Sequence, residues 1–208
     1  MRRIALSAPQ LAGTSWPLAS DIAVVLAGED REVRRRYTVR SVTGDTMLID
    51  AVLHGHGPGS SWAAGLQLGD QVTFFGPRGE IELAPADWLL GLTDESGLPA
   101  IGALAEALGA VGRRLAVFAE ISDPAERYPL PDNTDVRWLV RGDQPAGTAT
   151  ILGEAIASFT PGDGAGYAYL LGESRAVVAL RDSLSRFGLD RSRVYAKGYW
   201  NLNSRPTR

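Results

Sequence analysis

The chain has 208 residues, 45% of them hydrophobic and 22% charged, with a formal net charge of −3 and a sequence pI near 5.4. A chain of this size buries a core as one large or two small domains, and its acidic balance offers duplex nucleic acid no basic field. With no cysteine it has no disulfides, thiolate zinc sites, cysteine nucleophiles or protein-held iron–sulfur clusters, so any redox chemistry needs a bound cofactor.

Arg2-Arg3 opens the chain, but the apolar run behind them is broken by Ser7 and Pro9, too short for a signal sequence. No stretch reaches the roughly 20 apolar residues of a membrane span. The expectation is a cytoplasmic protein with no membrane span; nothing in the sequence sets its oligomeric state.

The first part reads as β structure. Residues 3–6, 22–26, 36–42, 47–53 and 71–75 are short runs rich in β-branched and aromatic residues, punctuated by glycine, proline and aspartate. Their spacing predicts a small antiparallel barrel. Within it, Arg35, Tyr37 and Val39 are expected on one strand face and Arg36, Thr38 and Arg40 on the other. A guanidinium that forks onto phosphate, a phenol ring and a threonine hydroxyl together suit a flavin nucleotide; a plain basic edge strand is the competing account.

Gly57-Pro58-Gly59-Ser60-Ser61 leads into a short helix predicted over 62–66. The small residues form either an anion cradle at a helix N-terminus or an ordinary serine cap. His54 and His56 share a face if the preceding strand continues. No third donor accompanies them, which favours a polar strand end or a ligand hydrogen bond over a metal site. No G-x-S-x-G elbow is present, so hydrolase chemistry is disfavoured.

From residue 87 strands predicted at 88–92, 114–119, 136–140, 167–171 and 193–196 alternate with helices at 98–108, 148–158 and 175–187. That alternation predicts a parallel, doubly wound sheet, with a domain boundary near Ala84-Pro85. The segment from Gly91 to Ala100, with Thr93, Asp94 and Glu95, follows a buried strand and opens a helix. It is a nucleotide loop or a structural turn, and lacks the G-x-G-x-x-G fingerprint. Glu120 and Asp123 stand where a carboxylate binds ribose hydroxyls, or in a solvated loop. Glu173-Ser174-Arg175 repeats the strand-to-helix layout, with Arg175 a phosphate contact or a surface charge. Tyr199 and Trp200 follow the last predicted strand and need something to pack on, either the first domain or a flavin. Lys197 is a charge for an anionic substrate or a surface lysine.

In this order the segments resemble the siderophore-interacting protein family, relatives of ferredoxin reductases that bind FAD and reduce ferric siderophores with NAD(P)H. The matching segments are Arg35-Arg36-Tyr37-Thr38-Val39-Arg40, similar to the R-x-Y-T flavin motif; Val52 to Ala63, similar to the HG…GPAS-x-WA segment; and Gly76-Pro77-Arg78-Gly79, similar to the GPRG turn. Asp94 to Ile101 is similar to DETALPAI, and Gly198-Tyr199-Trp200 to the C-terminal GYW.

The resemblance implies an N-terminal, six-stranded-type antiparallel FAD-binding barrel over 1–84. This chain enters it one strand later than family members usually do. A C-terminal doubly wound, parallel-sheet NAD(P)-binding domain of the ferredoxin reductase type would follow over 85–208. Arg35 would hold FAD phosphate, with Tyr37 and Thr38 at the isoalloxazine and Val39 also among the cofactor-binding residues. Gly59, Ser60, Ser61 and Trp62 would form the pyrophosphate turn and helix, beside His54. Tyr199 and Trp200 would border the flavin on the nicotinamide side. Thr93, Asp94, Glu95, Glu120, Glu173 and Arg175 would receive NADPH or NADH, and Arg36, Arg40 and Lys197 would dock an anionic ferric siderophore. No side chain is expected to act as a catalyst in its own right, because the flavin carries the chemistry, and no resident metal is expected.

Leu92 and Gly97 depart from the residues typical of the family's nucleotide loop, which leaves NADH, NADPH or a ferredoxin as the electron donor. The rival readings are a non-catalytic iron-chelate-binding or electron-relay flavoprotein, and a general flavin-linked ferric or quinone reductase.

Overall fold

The structure is a computed structural model that describes residues 1–27, 32–55 and 57–202; His56, paired with His54 in the sequence reading, lies outside them. The chain divides into two compact units, Met1–Glu82 and Leu83–Arg208. Among the described residues no helix is long and apolar enough to cross a membrane.

The first unit contains β1 (Arg2–Ser7), α1 (Pro9–Ala12), β2 (Asp21–Leu26), β3 (Val33–Thr43), β4 (Thr46–Ala51), α2 (Pro58–Gly65) and β5 (Phe74–Arg78). The strands form one antiparallel sheet in the order β1-β4-β3-β2-β5. β3 and β4 are joined by a two-residue turn whose Gly44 has φ +59, a conformation open to glycine without strain.

β3 is the corner of this sheet. Its first half pairs with β2 and its second with β4, with an irregularity between Val39 and Ser41. The alternation expected from sequence therefore ends at the bend, and Thr38, Val39 and Arg40 are buried in succession. The expected strand over 71–75 lies later, and Gly76-Pro77-Arg78, expected as a turn, is the end of β5. Proline fits there because β5 is an edge strand, with one side unpaired.

Ile4, Leu11, Ile22, Val24, Leu26, Val39, Met47, Ile49, Ala51 and Ala63 form the core of this unit, with Tyr37 and Trp62 packed on it. α2 is tied down at its C-terminal end. The Arg2 guanidinium donates to the carbonyls of Ala63, Ala64 and Leu66, each at 2.6 Å. These are carbonyls that a helix end leaves without intrahelical donors.

The second unit contains β6 (Trp88–Thr93), α3 (Leu98–Ala110), β7 (Leu115–Ile121), β8 (Thr134–Val140), α4 (Thr150–Ile156), β9 (Gly166–Glu173), α5 (Ser174–Ser183) and β10 (Val194–Trp200). All neighbours are parallel, in the order β10-β9-β6-β7-β8. Leu90 and Leu92 share a core with Leu152 and Ile156 of α4 and Val177 and Leu180 of α5. On the opposite face, a Cβ at Gly91 would come within 3.0 Å of Ile101 in α3, so helices cover both sides of the sheet.

The chain winds outward from β6 through β7 to β8, then returns to the other side of β6 as β9 and β10. The strand order therefore reverses between β6 and β9, and a doubly wound sheet opens a crevice at the C-terminal ends of such a pair. β10 is longer than the sequence suggested. It runs through Lys197, Gly198 and Tyr199 to Trp200, which pairs with Glu173 across an irregularity after Gly198.

Candidate functional site

In the first unit, β3 and the start of α2 meet side by side. Tyr37 lies opposite Ile22 and Arg35 opposite Val24, so both side chains follow the core-facing side of β3 to its open end. The Tyr37 hydroxyl donates to the Gly59 carbonyl at 3.2 Å, and its ring lies 5.2 Å from that of Trp62, tilted by 43°. Burial pushes the phenol up to about 12, against the opposing pull of the Arg35 charge, so it stays protonated. A Cβ on Gly59 would stand 2.9 Å from the Tyr37 hydroxyl and 3.3 Å from Arg35 Cγ: glycine is what lets the helix backbone approach this closely.

α2 begins at Pro58 with Gly57 as its cap and no side-chain cap bond, so Gly59, Ser60 and Ser61 stand inside the first turn rather than before it. The Ser60 hydroxyl accepts the His54 N–H at 3.1 Å, and the Ser61 N–H donates to the Gly57 carbonyl at 3.1 Å. The N–H groups of Gly59 and Ser60 have no carbonyl within the helix to bond. First-turn amides and an intermediate-exposed Arg35, brought together by the close approach at Gly59, form a donor set that fits a dinucleotide phosphate.

Three of the expected site residues in this unit pack inward. The Val39 side chain is part of the hydrophobic core, and its N–H donates to the Ser20 carbonyl at 2.7 Å. Arg40, expected as a surface docking charge, is 8% exposed because it follows the bend in β3. Trp62 is likewise turned onto the core, while Arg36 and the His54 residue are exposed.

In the second unit the residues expected to receive a nucleotide gather at the C-terminal ends of β6, β7 and β9. A small pocket there is lined by Asp94, Glu120, Gly147, Thr148, Gly172 and Glu173, among others. The side chains, however, already have partners. Thr93 is fully buried and donates to the Asp94 carbonyl at 2.8 Å. One Asp94 carboxylate oxygen accepts the Ser96 N–H (2.9 Å) and the Ser96 hydroxyl, and the other accepts the Glu173 N–H (3.0 Å) and the Trp200 indole N–H (2.8 Å). Glu173 caps α5 by accepting from the N–H groups of Arg175 (2.6 Å) and Ala176 (2.8 Å). Burial works to raise its pKa, but the N–H donors of Ala176, Leu202 and Arg175 outweigh it and hold the carboxyl below its ordinary value.

Glu95 accepts the Ser122 N–H at 2.8 Å and pairs with Arg141 at 2.7 Å, and the same guanidinium nitrogen reaches Glu120 at 3.4 Å. One cation thus serves two buried carboxylates. Burial pushes Glu120 up to about 7; Arg141 opposes the shift, and the charges of Asp94 and Glu95 add to it. The four acids expected on the nucleotide have partners within the chain and build the ends of the strands, because a carboxylate taken out of water needs donors close by. Arg175 differs: it is exposed at the first turn of α5.

The last aromatics diverge. Lys197 Nζ lies 5.1 Å from the Tyr199 ring centroid, two residues along the same strand, while Trp200 turns its indole N–H to Asp94. Sequence reasoning missed Arg141, which sits in a Gly- and Asp-rich loop with no motif around it, and Gly147, where a Cβ would meet the Trp200 ring at 2.7 Å. Its φ of +78 explains the glycine but is invisible in the sequence.

Known proteins share this pairing of a flavin-type sheet with a doubly wound domain. Residues 1–81 match the family model for the siderophore-interacting FAD-binding domain, and residues 86–203 match that for the siderophore-interacting protein. A ferric vibriobactin reductase of Vibrio cholerae is 34% identical over 185 residues, which cover 85% of this chain and 67% of that protein. The NADPH-dependent ferric-chelate reductase of Escherichia coli is 29% identical over 192 residues, 89% of this chain and 73% of the relative. The crystal structure of a siderophore utilization protein from T. fusca superposes with a TM-score of 0.84 at 29% identity, covering 98% of this chain and 87% of that one. Both units are matched, in the same order and over nearly their whole length, and the chain belongs to the siderophore-interacting protein family.

Proposed function

We propose that the chain is an FAD-dependent ferric-siderophore reductase, with residues 1–84 as the FAD-binding domain and 85–208 as the NAD(P)H domain. The observation that carries this reading is the Tyr37–Gly59 contact, which seats Arg35 beside the free first-turn amides of α2 in a family whose first domain binds FAD. Bound there, FAD supplies the step from a two-electron nicotinamide donor to one-electron reduction of chelated ferric iron.

The chain's own residues bind and orient. Arg35 forks onto phosphate oxygens, and the N–H groups of Gly59 and Ser60 meet the pyrophosphate with the positive end of the helix dipole behind them. Tyr37 forms a wall of the site; its hydroxyl proton is already given to Gly59, so it contributes a ring face rather than a donor. Thr38 and the exposed His54 and Ser61 edge the same site.

In the second domain the nucleotide meets the strand ends that Asp94, Glu95, Glu120 and Glu173 build, with Arg175 at the mouth as its charged contact. NADPH is the donor named for the E. coli relative, and the same reading takes NADH here as the alternative. Arg36 and Lys197 are the cationic groups for an anionic ferric siderophore, the substrate, in the cytoplasm.

A purified yellow protein whose flavin absorbance bleaches under anaerobic NADPH or NADH, and which then yields trapped Fe(II) from a ferric siderophore, is the expected result. Failure to retain FAD or FMN from excess would end the proposal.

A second reading has one observation in its favour: all four acids at the strand ends are committed to partners within the chain. Under it the chain is an electron-relay flavoprotein fed by a protein donor such as a ferredoxin. A flavin that bleaches with reduced ferredoxin and with neither nucleotide selects this reading.

A further inference from the structure

The end of β7 brings together two groups that answer opposite features of a nucleotide. In a doubly wound sheet an acid past the strand beside the first nucleotide turn accepts a ribose 2′-hydroxyl, and an arginine nearby meets a 2′-phosphate. β7 is that strand, next to β6, and Glu120 is its last residue but one, lining the pocket at the strand ends. Arg141, the first residue past β8, reaches back to it. Acid and arginine stand at the same place, bound to each other. Arg141 has little freedom to leave. Its backbone N–H donates to the Ile121 carbonyl at 2.9 Å, and the Gly142 N–H donates to the Ser122 carbonyl at 3.2 Å. Its guanidinium nitrogen lies 2.7 Å from Glu95 and 3.4 Å from Glu120, and Glu95 is itself fixed by the Ser122 N–H at 2.8 Å. Arg175 stands beyond β9, on the other side of β6.

Two carboxylates share this one guanidinium, so the group is negative overall whenever both are ionised. A 2′-phosphate brings about 1.5 to 2 further negative charges to a guanidinium already taken, whereas a 2′-hydroxyl brings none and donates to a carboxylate. We propose that Arg141, taken up by Glu95 and Glu120, makes the second unit select NADH over NADPH. This inference rests on the reductase reading given above, which leaves the donor open between the two.

The selection depends on pH with a definite sign. The charged groups around Glu120 are Arg141 from the end of β8 and Asp94 and Glu95 from the end of β6; Glu173 of β9 lines the same pocket, to which α4 and α5 present apolar side chains such as Leu152 and Val177. Burial raises Glu120 to about 7, so below that pH the cluster loses one negative charge and tolerates a 2′-phosphate better, and above it the repulsion is complete.

The test compares the parent chain with Glu120→Gln and Glu95→Gln. In the oxidised chain with excess FAD, NAD⁺ and NADP⁺ bind without reacting, and calorimetric titration reads their affinities apart from turnover. At pH 8 the parent should bind NAD⁺ at least about ten-fold more tightly than NADP⁺. Each variant removes one negative charge and should narrow that ratio by roughly three-fold or more, through NADP⁺. From pH 8 to pH 6 the ratio should fall more steeply in the parent than in Glu120→Gln, where the titration of the phosphate itself, near about pH 6, remains. A merely structural role would lower both affinities together and leave the ratio where it was.

A parent that binds NADP⁺ as tightly as NAD⁺ at pH 8, or more tightly, overturns the inference and leaves the reductase reading in place. A ratio unmoved in the variants does the same. If one variant does not fold the other decides, and if neither folds the parent's own ratio and its change with pH decide. A parent that binds neither nucleotide ends the reductase reading, and the inference falls with it.

Discussion

The Tyr37 hydroxyl and the Gly59 carbonyl lie 3.2 Å apart, and this one bond joins β3 to the first turn of α2. A methyl group on Gly59 would come within 2.9 Å of that hydroxyl, and Trp62 behind the Tyr37 ring leaves it no room to retreat. Gly59→Ala should therefore shift α2 and weaken FAD binding about ten-fold, roughly 1.4 kcal/mol, in a fluorescence titration of the apoprotein. Adding Tyr37→Phe removes the obstructing oxygen and should return part of the loss; a single variant that binds FAD as the parent does would refute the close-approach account.

Arg35→Ala should weaken FAD retention by about 1.5–3 kcal/mol, the range for a hydrogen bond to a charged group. The loss should shrink as salt rises, because the charge attraction it removes is screened. Equal retention in both proteins at low salt would take Arg35 out of the site.

Arg141 is the counterion of both Glu95 and Glu120. Arg141→Met leaves two buried carboxylates facing each other and should destabilise the chain by about 3 kcal/mol in urea unfolding. Glu120→Gln in the same background should recover part of this. If Arg141→Met unfolds at the parent's midpoint, the ion pair contributes nothing.

Glu120 gives the fold a pH dependence with a definite sign. Its pKa is raised from 4.5 to about 7 by burial first, so between these values the folded chain holds a proton that the unfolded chain has released. The stabilisation from this group is complete below about pH 4.5, declines as pH rises through about 7 and is absent above, a span on the order of 2 kcal/mol. Melting curves at fixed ionic strength should show a smaller fall from pH 5 to 7.5 in Glu120→Gln than in the parent. Identical slopes would place the titration elsewhere.

Much of the fold was legible because its strands and helices carry their own periodicity. The continuous apolar run at Trp88–Thr93 and the Leu98, Ile101, Leu104, Leu108 spacing of α3 declare a buried strand and a packed helix without reference to distant residues. Arg35, Tyr37 and Gly59 were named together from their residue types alone, and the structure brings the three into contact. Arg40 was misplaced because a bend in β3 shifts the side-chain phase, and no residue type marks the bend. Asp94, Glu95, Glu120 and Glu173 lie at the strand ends where the sequence put them, but their partners within the chain were not legible. What satisfies them, Trp200, Ser122, Arg141 and the first amides of α5, is set by the closure of the sheet and not by neighbours in sequence.

The hold that Arg2 keeps on the last carbonyls of α2 has a consequence at the opposite end of that helix. An eight-residue helix is too short to persist by its own cooperativity, so its rigidity is borrowed from the sheet, at its C-terminal end through the Arg2 guanidinium. A positive charge at the negative pole also reinforces the alignment of peptide dipoles that favours anions at the other pole. On the proposed reading, affinity for a coenzyme phosphate is thus tunable from the opposite end of α2, by a side chain on β1 bonded to that helix's last carbonyls, and drift at this position would reset cofactor retention while every residue of the proposed binding motif stayed the same.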